Sequence, residues 1–280
     1  MGWNVTRDLE SYTAEAGGFL HADPVANTVP LSVIETLRAQ GADAFGEEAL
    51  FGWWRSGAEV GAAFLLTGAY PVLLSEMPEH AAADLADALA DRYAAPPGVN
   101  GSAPAARAFA AAWERRTGMA AEVRMRQRLF RLDGLKPPDP LPDGAMRVAT
   151  AADRQLVRDW STAFEEEAQG GGGVREALID DRLGHGGIVL WEVDGAPVAM
   201  AGRTRVVAGM ARVGPVYTPP EHRRHGYGAV VTAIVTRSAL DAGAAHVVLF
   251  TDLANPTSNG IYQRLGYRPV VDRLVLGFGA

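Results

Sequence analysis

Proline and glycine interrupt the chain at one place so densely that neither a helix nor a central strand can pass through it. Residues 131–144 read RLDGLKPPDPLPDG, with four prolines and two glycines. Proline lacks the amide hydrogen that helices and sheets use, and its ring clashes with the preceding helical turn. We therefore predict that the 280 residues form two domains, 1–135 and 145–280, joined by a linker at 136–144.

Composition excludes several classes of protein. Hydrophobic residues make up 48% and charged residues 21% of the chain, which is typical of globular proteins and not of disordered ones. No apolar run reaches the ~18–20 residues of a membrane helix, and the N-terminus lacks the pattern of a secretory signal. We therefore expect a cytoplasmic protein with no membrane partner. Acidic residues outnumber basic ones by 33 to 26, which argues against a nucleic-acid partner.

Two kinds of chemistry are also excluded by residue type and spacing. The sequence has no cysteine, so disulfides, thiolate nucleophiles and thiolate metal ligands are absent. The histidines and carboxylates show no metal-site spacing, so we predict no metal. Any nucleophile must therefore come from the substrate or from another side chain.

Strands and helices alternate after the linker, which predicts an α/β domain with a mixed sheet. The dipeptide Asp194-Gly195 predicts a hairpin turn between two of the strands. The predicted strands are 145–149, 188–193, 196–206, 210–217, 246–250, 267–271 and 273–278, and the predicted helices are 152–167, 174–183, 227–242 and 257–265.

The first half of the chain repeats the pattern of the second. Three pairs of segments share their residue spacing and occur in the same order, which predicts a tandem duplication. The pairs are Trp53–Val60 with Trp191–Val198, Pro78–His80 with Pro220–His222, and Gly118–Phe130 with Gly266–Phe278.

The segment PPEHRRHGYG, residues 219–228, predicts an anion site between a strand and a helix. Gly226 and Gly228 would leave backbone amides bare at the start of the helix, where the helix dipole favours a pyrophosphate. Arg223 and Arg224 can add charge-assisted hydrogen bonds. Taken alone, such a turn is often only structural, and its spacing is not that of the common nucleotide motifs.

A second polar segment, LFTDLANPTSNGIYQRLGYRPV, covers residues 249–270. Asn255 and Pro256 predict a helix start, and Gly266 predicts its end. On their own, Asn255 could act only as a helix cap and Tyr262 only as a core aromatic residue.

The two segments together resemble the GNAT superfamily of acyl-CoA-dependent N-acyltransferases, through Arg223-x-x-Gly226-x-Gly228 and Asn255-x-x-Ser258-Asn259-x-x-Tyr262. The resemblance covers about residues 145–280 and is closest to a bacterial subgroup with two such domains in tandem. It implies an α/β fold of two tandem GNAT-like domains, each a mixed twisted sheet flanked by helices.

The resemblance also implies a function and a site. Acetyl-CoA would be the cofactor, a small-molecule or peptide amine would be the acceptor, and Tyr262 would protonate the departing thiolate. It leaves a homodimer open. The residues that it assigns to acetyl-CoA are Val216, Tyr217, Thr218, Arg223, Arg224, His225, Gly226, Tyr227, Gly228, Ala229, Asn255, Ser258 and Asn259.

The chemistry suits these residue types independently of the resemblance. An amine that attacks a thioester creates an oxyanion, which backbone amides near Val216 could stabilise, and a thiolate that can use a proton. A tyrosine, with a reference pKa of about 10, carries that proton at neutral pH. The base stays open between Asp252, Glu166 within the acidic run 165–167, and water, because the strand 210–217 has no carboxylate.

The first copy departs from the motifs at both places. It has residues 81–86, AAADLA, where the second copy has the glycine turn, and Glu114 where the second copy has Tyr262. We therefore expect residues 1–135 to be a degenerate, non-catalytic domain. Two alternatives remain for the whole chain, a mycothiol-synthase-like amino-sugar acyltransferase and a non-catalytic acyl-CoA sensor.

Overall fold

The computed structural model describes residues 2–41, 44–45, 49–68, 70–92, 96–168 and 176–279. The chain divides into two compact units, Met1–Arg128 with Val271–Ala280, and Leu129–Val270. Each unit has a mixed sheet with helices, so the predicted α/β class is confirmed. The four consecutive glycines at 170–173, between the predicted helices 152–167 and 174–183, lie outside the described residues.

The elements are numbered in chain order. The first half of the chain contains β1 (Gly2–Thr6), α1 (Leu9–Ala22), α2 (Thr28–Gln40), β2 (Leu50–Ser56), β3 (Glu59–Leu66), β4 (Val72–Leu74), α3 (Glu79–Arg92), β5 (Gly98–Ser102), α4 (Ala103–Thr117) and β6 (Ala121–Leu132). The second half contains β7 (Ala145–Val148), α5 (Arg154–Ala168), α6 (Glu176–Gly184), β8 (Ile188–Val193), β9 (Ala196–Arg203), β10 (Met210–Tyr217), α7 (Tyr227–Asp241), β11 (His246–Asp252), α8 (Pro256–Arg264) and β12 (Tyr267–Phe278).

The two units have the same strand topology. The first unit has the order β1-β2-β3-β4-β5-β12, in which β4 and β5 are parallel and the other neighbours are antiparallel. The second unit has the order β7-β8-β9-β10-β11-β6, in which β10 and β11 are parallel and β7 to β10 are antiparallel. One parallel pair at the same place in each sheet supports the tandem duplication.

The sixth strand of each sheet comes from the other half of the chain, so the two units do not end at the predicted domain boundaries. Residues from Val271 onwards belong to the first unit, where Leu274 and Leu276 are buried beside Phe109 and Trp113. Conversely, the end of β6 belongs to the second unit, where Phe130 is fully buried. The predicted domains 1–135 and 145–280 are therefore wrong at their ends, because the burial of apolar strand residues, and not the proline-rich segment, sets the division. The two strands predicted at 267–278 are one continuous strand.

The predicted linker packs as part of the second unit. Residues 133–144 form neither helix nor strand, as the prolines dictate. However, the indole nitrogen of Trp191 donates to the carbonyl of Asp143 at 3.0 Å, and the amide of Lys136 donates to the carbonyl of Leu265 at 3.0 Å. The segment is therefore tied to its own unit at both ends.

The hairpins β2–β3 and β8–β9 align with each other one residue away from the alignment that the sequence predicted. In each hairpin a β-bulge directly follows a buried tryptophan, Trp54 in the first and Trp191 in the second. The turn residues are Gly57-Ala58 and Asp194-Gly195, so the two turns are also one residue out of the predicted alignment. Trp191 therefore corresponds to Trp54 and not, as the sequence comparison predicted, to Trp53.

Apolar residues cover both faces of the second sheet. On one face α7 and α8 pack through a cluster that includes Val231, Leu249 and Tyr262. On the other face α5 and α6 pack through a cluster that includes Val157 and Tyr217. Because both faces are covered, the strand ends and the turns after them are the parts of the sheet that a ligand can reach. No helix within the described part of the chain is both long and apolar enough to cross a membrane.

The edge strand β7 is held by an ion-pair network around Arg147. Its guanidinium donates to both carboxylate oxygens of Asp153, at 2.7 and 2.9 Å, and to Glu192 at 2.9 Å. These hydrogen bonds outweigh the effect of burial and lower the pKa of Asp153 to about 2. A carboxyl with a lowered folded pKa stabilises the fold above its unfolded pKa and loses that contribution as the pH falls towards the folded value.

We predict that Asp153→Asn lowers the free energy of unfolding at pH 7 by ~1–2 kcal/mol, because the ion pair with Arg147 is lost. The expected loss is modest, since Arg147 is partly exposed and solvent screens the pair. The difference from wild type should vanish as the pH falls from about 4 to 2 in urea unfolding experiments. Asp241→Asn, which removes an exposed carboxylate without a hydrogen-bond partner in the described residues, is the control and should not destabilise. A pH-independent loss in Asp153→Asn would contradict the assignment.

Candidate active site

The parallel strands β10 and β11 separate in the middle of the second sheet. They pair residue by residue from Met210 with His246 to Val213 with Leu249, and there the pairing ends. Gly214 follows with φ 146° at a bulge against β9, and Pro215 has no amide hydrogen with which to continue the ladder. The last residues of β10 therefore pair with β9 alone. Proline inside a central strand was a signal that the sequence analysis did not use.

The separated strand ends leave an open edge on β10. Val216 pairs with Ala201 of β9, and no residue of β11 pairs with it in the described structure. Along this stretch the backbone groups of successive residues alternate between the two sides of the strand, so those that do not face β9 are directed towards the gap between β10 and β11. An extended ligand with amide groups could bind along this edge as an additional strand does.

The turn between β10 and α7 presents a row of free backbone amides. Gly226 precedes the helix with φ 85°, and its carbonyl accepts the first helical hydrogen bonds, from Ala229 and Val230. Among the described residues, no backbone carbonyl accepts a hydrogen bond from the amides of residues 224–228. The amides stand at the positive end of a 15-residue helix, so the turn suits a phosphate group.

The two glycines of this turn have different roles. Gly226 needs its left-handed conformation, which other residues adopt only with strain. Gly228 is an ordinary helical residue, and a Cβ atom there would lie 3.5 Å from the hydroxyl of Thr218. A side chain at 228 is therefore compatible with the fold and would fill only the space in front of the turn.

The side chain of Arg223 is bound within the protein. Its Nε donates to the carbonyl of Thr218 at 2.9 Å, and its Nη2 lies 2.7 Å from each carboxylate oxygen of Glu167. Two groups that the resemblance assigns to acetyl-CoA therefore already have a partner within the protein: the guanidinium is paired with a carboxylate, and the Thr218 carbonyl accepts one hydrogen bond. Arg224, with φ 68°, is exposed beside the turn.

The two histidines beside the turn take part in its packing. The ring of His225 stacks on Tyr227 with centroids 5.5 Å apart, and its Nδ1 lies 3.3 Å from the carbonyl of His222. These contacts fix the His225 ring within the turn. In the part of the chain that the structure describes, no three histidine, aspartate or glutamate side chains are grouped to hold a metal ion.

The start of α8 places two asparagines beside the end of β11. Asn255 caps the helix, because its side-chain oxygen accepts from the amide of Ser258 at 3.0 Å. Asn259 donates to the carbonyls of Asp252 at 3.0 Å and Asn255 at 2.7 Å, while its own Oδ1 is buried without a partner. An unsatisfied buried oxygen is costly, so Asn259 offers an acceptor that a ligand amide could satisfy.

Tyr262 lies below the separated strands. It is 9% exposed and belongs to the apolar cluster that contains Val213 and Leu249, the last residues paired between β10 and β11. Val216 packs against the same cluster. Burial raises the pKa of Tyr262 to about 12, so its hydroxyl keeps its proton throughout the neutral and mildly alkaline range.

The three glutamates at the end of α5 have three different environments. Glu165 is half-buried, and burial raises its pKa although Arg182 opposes the shift. Glu166 is exposed, and Glu167 holds Arg223. At the end of β11, the carboxylate of Asp252 accepts from the amide of Ala254 at 2.8 Å. The acidic run is therefore not a uniform solvated surface.

The corresponding turn of the first unit is shorter than that of the second, and helix α3 begins earlier along it. Helix α3 begins at Glu79, directly after Pro78, and the amide of Ala82 already donates to the carbonyl of Pro78 at 3.2 Å. Ala81 and Ala86 are fully buried. Residues 81–86 thus lie inside a helix, where the amides from Ala82 onwards donate to the helix itself.

A buried arginine fills the gap between β4 and β5 in the first unit. The pairing of these strands ends at Leu73 and Asn100. Arg273, 5% exposed, donates to the carbonyl of Leu74 at 2.8 Å and to the backbone and side-chain oxygens of Asn100 at 3.2 and 3.1 Å. Counting back from Pro78 and Pro220, Leu74 corresponds to Val216. The carbonyl of Leu74, at the position of the open edge in the second unit, therefore accepts a hydrogen bond from the side chain of Arg273. No sequence pattern predicted this contact.

Comparison with known proteins agrees with these features. The family model described as Acetyltransferase (GNAT) family matches residues 152–267. No curated protein matches the chain.

Three solved structures are similar over most of the chain. An acetyltransferase of the GNAT family from Colwellia psychrerythraea is 11% identical, with 100% of both chains covered and a TM-score of 0.60. A GCN5-related N-acetyltransferase from Kribbella flavida is 23% identical, with 89% of this chain and 96% of that chain covered and a TM-score of 0.56. A tandem GNAT protein from the clavulanic acid biosynthesis pathway is 15% identical, with 99% and 98% covered and a TM-score of 0.55.

These likenesses extend over both units, and the family match lies within the second. The resemblance predicted from Arg223-x-x-Gly226-x-Gly228 and Asn255 to Tyr262 is thereby confirmed. Residues 152–267 match the acetyltransferase (GNAT) family, and the fold of the whole chain is that of GNAT proteins.

Proposed function

We propose that the chain is an N-acetyltransferase that uses acetyl-CoA to acetylate a primary amine, and that the second unit carries the reaction. The observation that supports this most directly is the gap between β10 and β11, which opens at Val213 beside the free amides of residues 224–228. A pantetheine chain with its pyrophosphate has the matching shape, an extended chain of amides that ends in a strong anion.

Each part of acetyl-CoA has a suitable group in this unit. The open edge at Val216 can pair with the pantetheine amides, and the unsatisfied oxygen of Asn259 can accept from one of them. The amides of residues 224–228 and the exposed Arg224 can hold the pyrophosphate. Asn255 has its side-chain oxygen engaged as a helix cap, so we assign it to supporting the site rather than to binding through that atom.

In the reaction, the amine nitrogen forms a bond to the thioester carbon, and the carbon–sulfur bond then breaks. Backbone amides at the open edge near Val216 stabilise the oxyanion that forms on the thioester oxygen. The hydroxyl of Tyr262 donates its hydrogen to the departing sulfur. The proton that the amine loses passes to water, since β10 carries no carboxylate, Glu166 is exposed without a hydrogen bond to any described residue, and Asp252 accepts from the amide of Ala254.

We further propose that the first unit does not bind acetyl-CoA. Two features support this, the helical hydrogen bonds of residues 82–86 and the hydrogen bond from Arg273 to the Leu74 carbonyl. A ligand that displaced Arg273 would leave a buried guanidinium without its hydrogen-bond partners. This is costly, so Arg273 is not readily displaced.

The reaction class is tested by following CoA-thiol release from acetyl-CoA across a panel of primary amines that includes amino sugars, polyamines and peptides. Amine-dependent release identifies a transferase and its acceptor class, and a preference for amino sugars would favour the mycothiol-synthase-like alternative. Tight acetyl-CoA binding without release from any amine would favour the sensor.

We predict that Tyr262→Phe lowers kcat by ~10²-fold and leaves the acetyl-CoA dissociation constant nearly unchanged, because the ring is kept and only the donated hydrogen is lost. Steady-state kinetics with the best amine measure the first quantity and calorimetry the second. Tyr267→Phe is the control, since this buried neighbour hydrogen-bonds Thr236 at 2.6 Å and its loss should reduce stability rather than kcat. A kcat within a few-fold of wild type would remove Tyr262 from this role.

We also predict that calorimetry finds one acetyl-CoA per chain, and that Gly228→Val weakens its binding at least ~10-fold, about 1.4 kcal/mol. The valine side chain would occupy the space in front of the free amides without straining the backbone. Gly18→Val, at a helical glycine with open space around it, is the matched control and should bind as wild type does. Two sites of similar affinity would contradict the proposed silence of the first unit.

A further inference from the structure

An ion pair joins the end of α5 to the phosphate turn of the second unit. Nη2 of Arg223 lies 2.7 Å from both carboxylate oxygens of Glu167, and Nε of the same guanidinium holds the Thr218 carbonyl. The guanidinium carbon lies 6.0 Å from the ring centre of Tyr217, the last residue of β10. The pair therefore spans the end of the open edge at which we place the acyl group and the start of the turn at which we place the pyrophosphate.

The pair is exposed enough to be exchanged for another partner. The side chain of Arg223 is 43% exposed and that of Glu167 is 49% exposed. Exposed pairs of this kind contribute only ~0.2–1 kcal/mol, so a stronger anion can replace the carboxylate at little cost. A pyrophosphate on the amides of residues 224–228 would be such an anion, because it carries more charge than a carboxylate and can accept two parallel hydrogen bonds from arginine.

We propose that Glu167 is a specificity-determining residue: the pyrophosphate of a bound acyl-CoA takes Arg223 from it, and the freed carboxylate then binds a cationic group of the acceptor. This inference rests on the proposed function. It makes the acceptor a compound with a positive charge in addition to the amine that reacts. It also means that Arg223 neutralises the charge of Glu167 until the acyl donor is in place.

The neighbouring acids are less suited to this role. Glu165 is half-buried and interacts electrostatically with Arg182, so its charge is directed inwards. Glu166 is exposed and has no hydrogen bond or ion pair with any described residue. Glu167 combines access with proximity to Tyr217, and the Glu167 charge adds to the burial that raises the pKa of that phenol. Its carboxylate is therefore beside the strand end where the reacting carbonyl would lie.

The donor half of the proposal is tested by calorimetry with acetyl-CoA. Glu167→Gln frees Arg223 in advance, so acetyl-CoA should bind about 3- to 5-fold more tightly than in wild type. Glu166→Gln removes the same charge one residue away and should change the affinity less than 1.5-fold. In an Arg223→Gln background, Glu167→Gln should have no effect, because the partner that it releases is gone. Equal tightening by Glu166→Gln, or tightening that persists without Arg223, would overturn the exchange.

The acceptor half is tested with two probes of equal length, 1,4-diaminobutane and butylamine, at saturating acetyl-CoA. Wild type should acetylate the diamine with at least ~10-fold higher kcat/KM, and Glu167→Gln should reduce this preference at least ~5-fold, mainly through KM. Glu166→Gln should retain it. A purely structural role for Glu167 would weaken acetyl-CoA binding and diamine turnover together, whereas the proposal requires opposite changes. No preference for the diamine in wild type would overturn this half.

Failure of this inference can be told apart from failure of the proposed function. If wild type binds no acetyl-CoA, or releases CoA thiol with neither probe nor any amine of the wider panel, the proposed function fails and the inference fails with it. If wild type binds and transfers normally while Glu167→Gln behaves as Glu166→Gln does, only the role of Glu167 is lost.

Discussion

The interruption of one strand pair by Gly214 and Pro215 determines the candidate site. A parallel ladder that ran to the end of β10 would satisfy its own amides and carbonyls and leave nothing for a ligand. Gly214 allows the bulge, and Pro215 has no amide hydrogen to donate. As a result, β10 stays paired with β9 to its end, whereas its pairing with β11 ends at Val213. In the proposed function, the free amides of the following turn and the buried Tyr262 can act on a bound acetyl-CoA only because this strand edge is open.

The first unit has the same interruption and satisfies it internally. An open strand edge in a protein interior leaves carbonyls that must be hydrogen-bonded. In the first unit Arg273 supplies the donors for Leu74 and Asn100, and burial lowers its pKa to about 10. In both units the parallel pair therefore ends early, and the two copies differ in that only the first has a buried side chain bonded to the separated strands among the described residues.

Much of the second unit could be predicted from its sequence, because its signals are local. Strands β8 and β10 were predicted residue for residue, and the glycines and prolines of the turn at residues 219–228 predicted the start of α7 correctly. What escaped prediction depends on residues far apart in the chain. The pair of Glu167 with Arg223 and the contact of Arg273 with Leu74 join segments that no spacing rule connects. The domain ends were wrong for the same reason, since burial of Leu274 and Phe130 is a tertiary property.

The exchange of terminal strands has a consequence for how the protein is made on the ribosome. Leu274 and Leu276 complete the core around Phe109 and Trp113, although more than 150 residues separate them in the sequence. The N-terminal half therefore emerges with an unfinished sheet and an exposed apolar strand edge, and it must wait for the last part of the chain before its core can close. Neither half corresponds to a gene fragment that could be separated from the other and still encode a whole sheet.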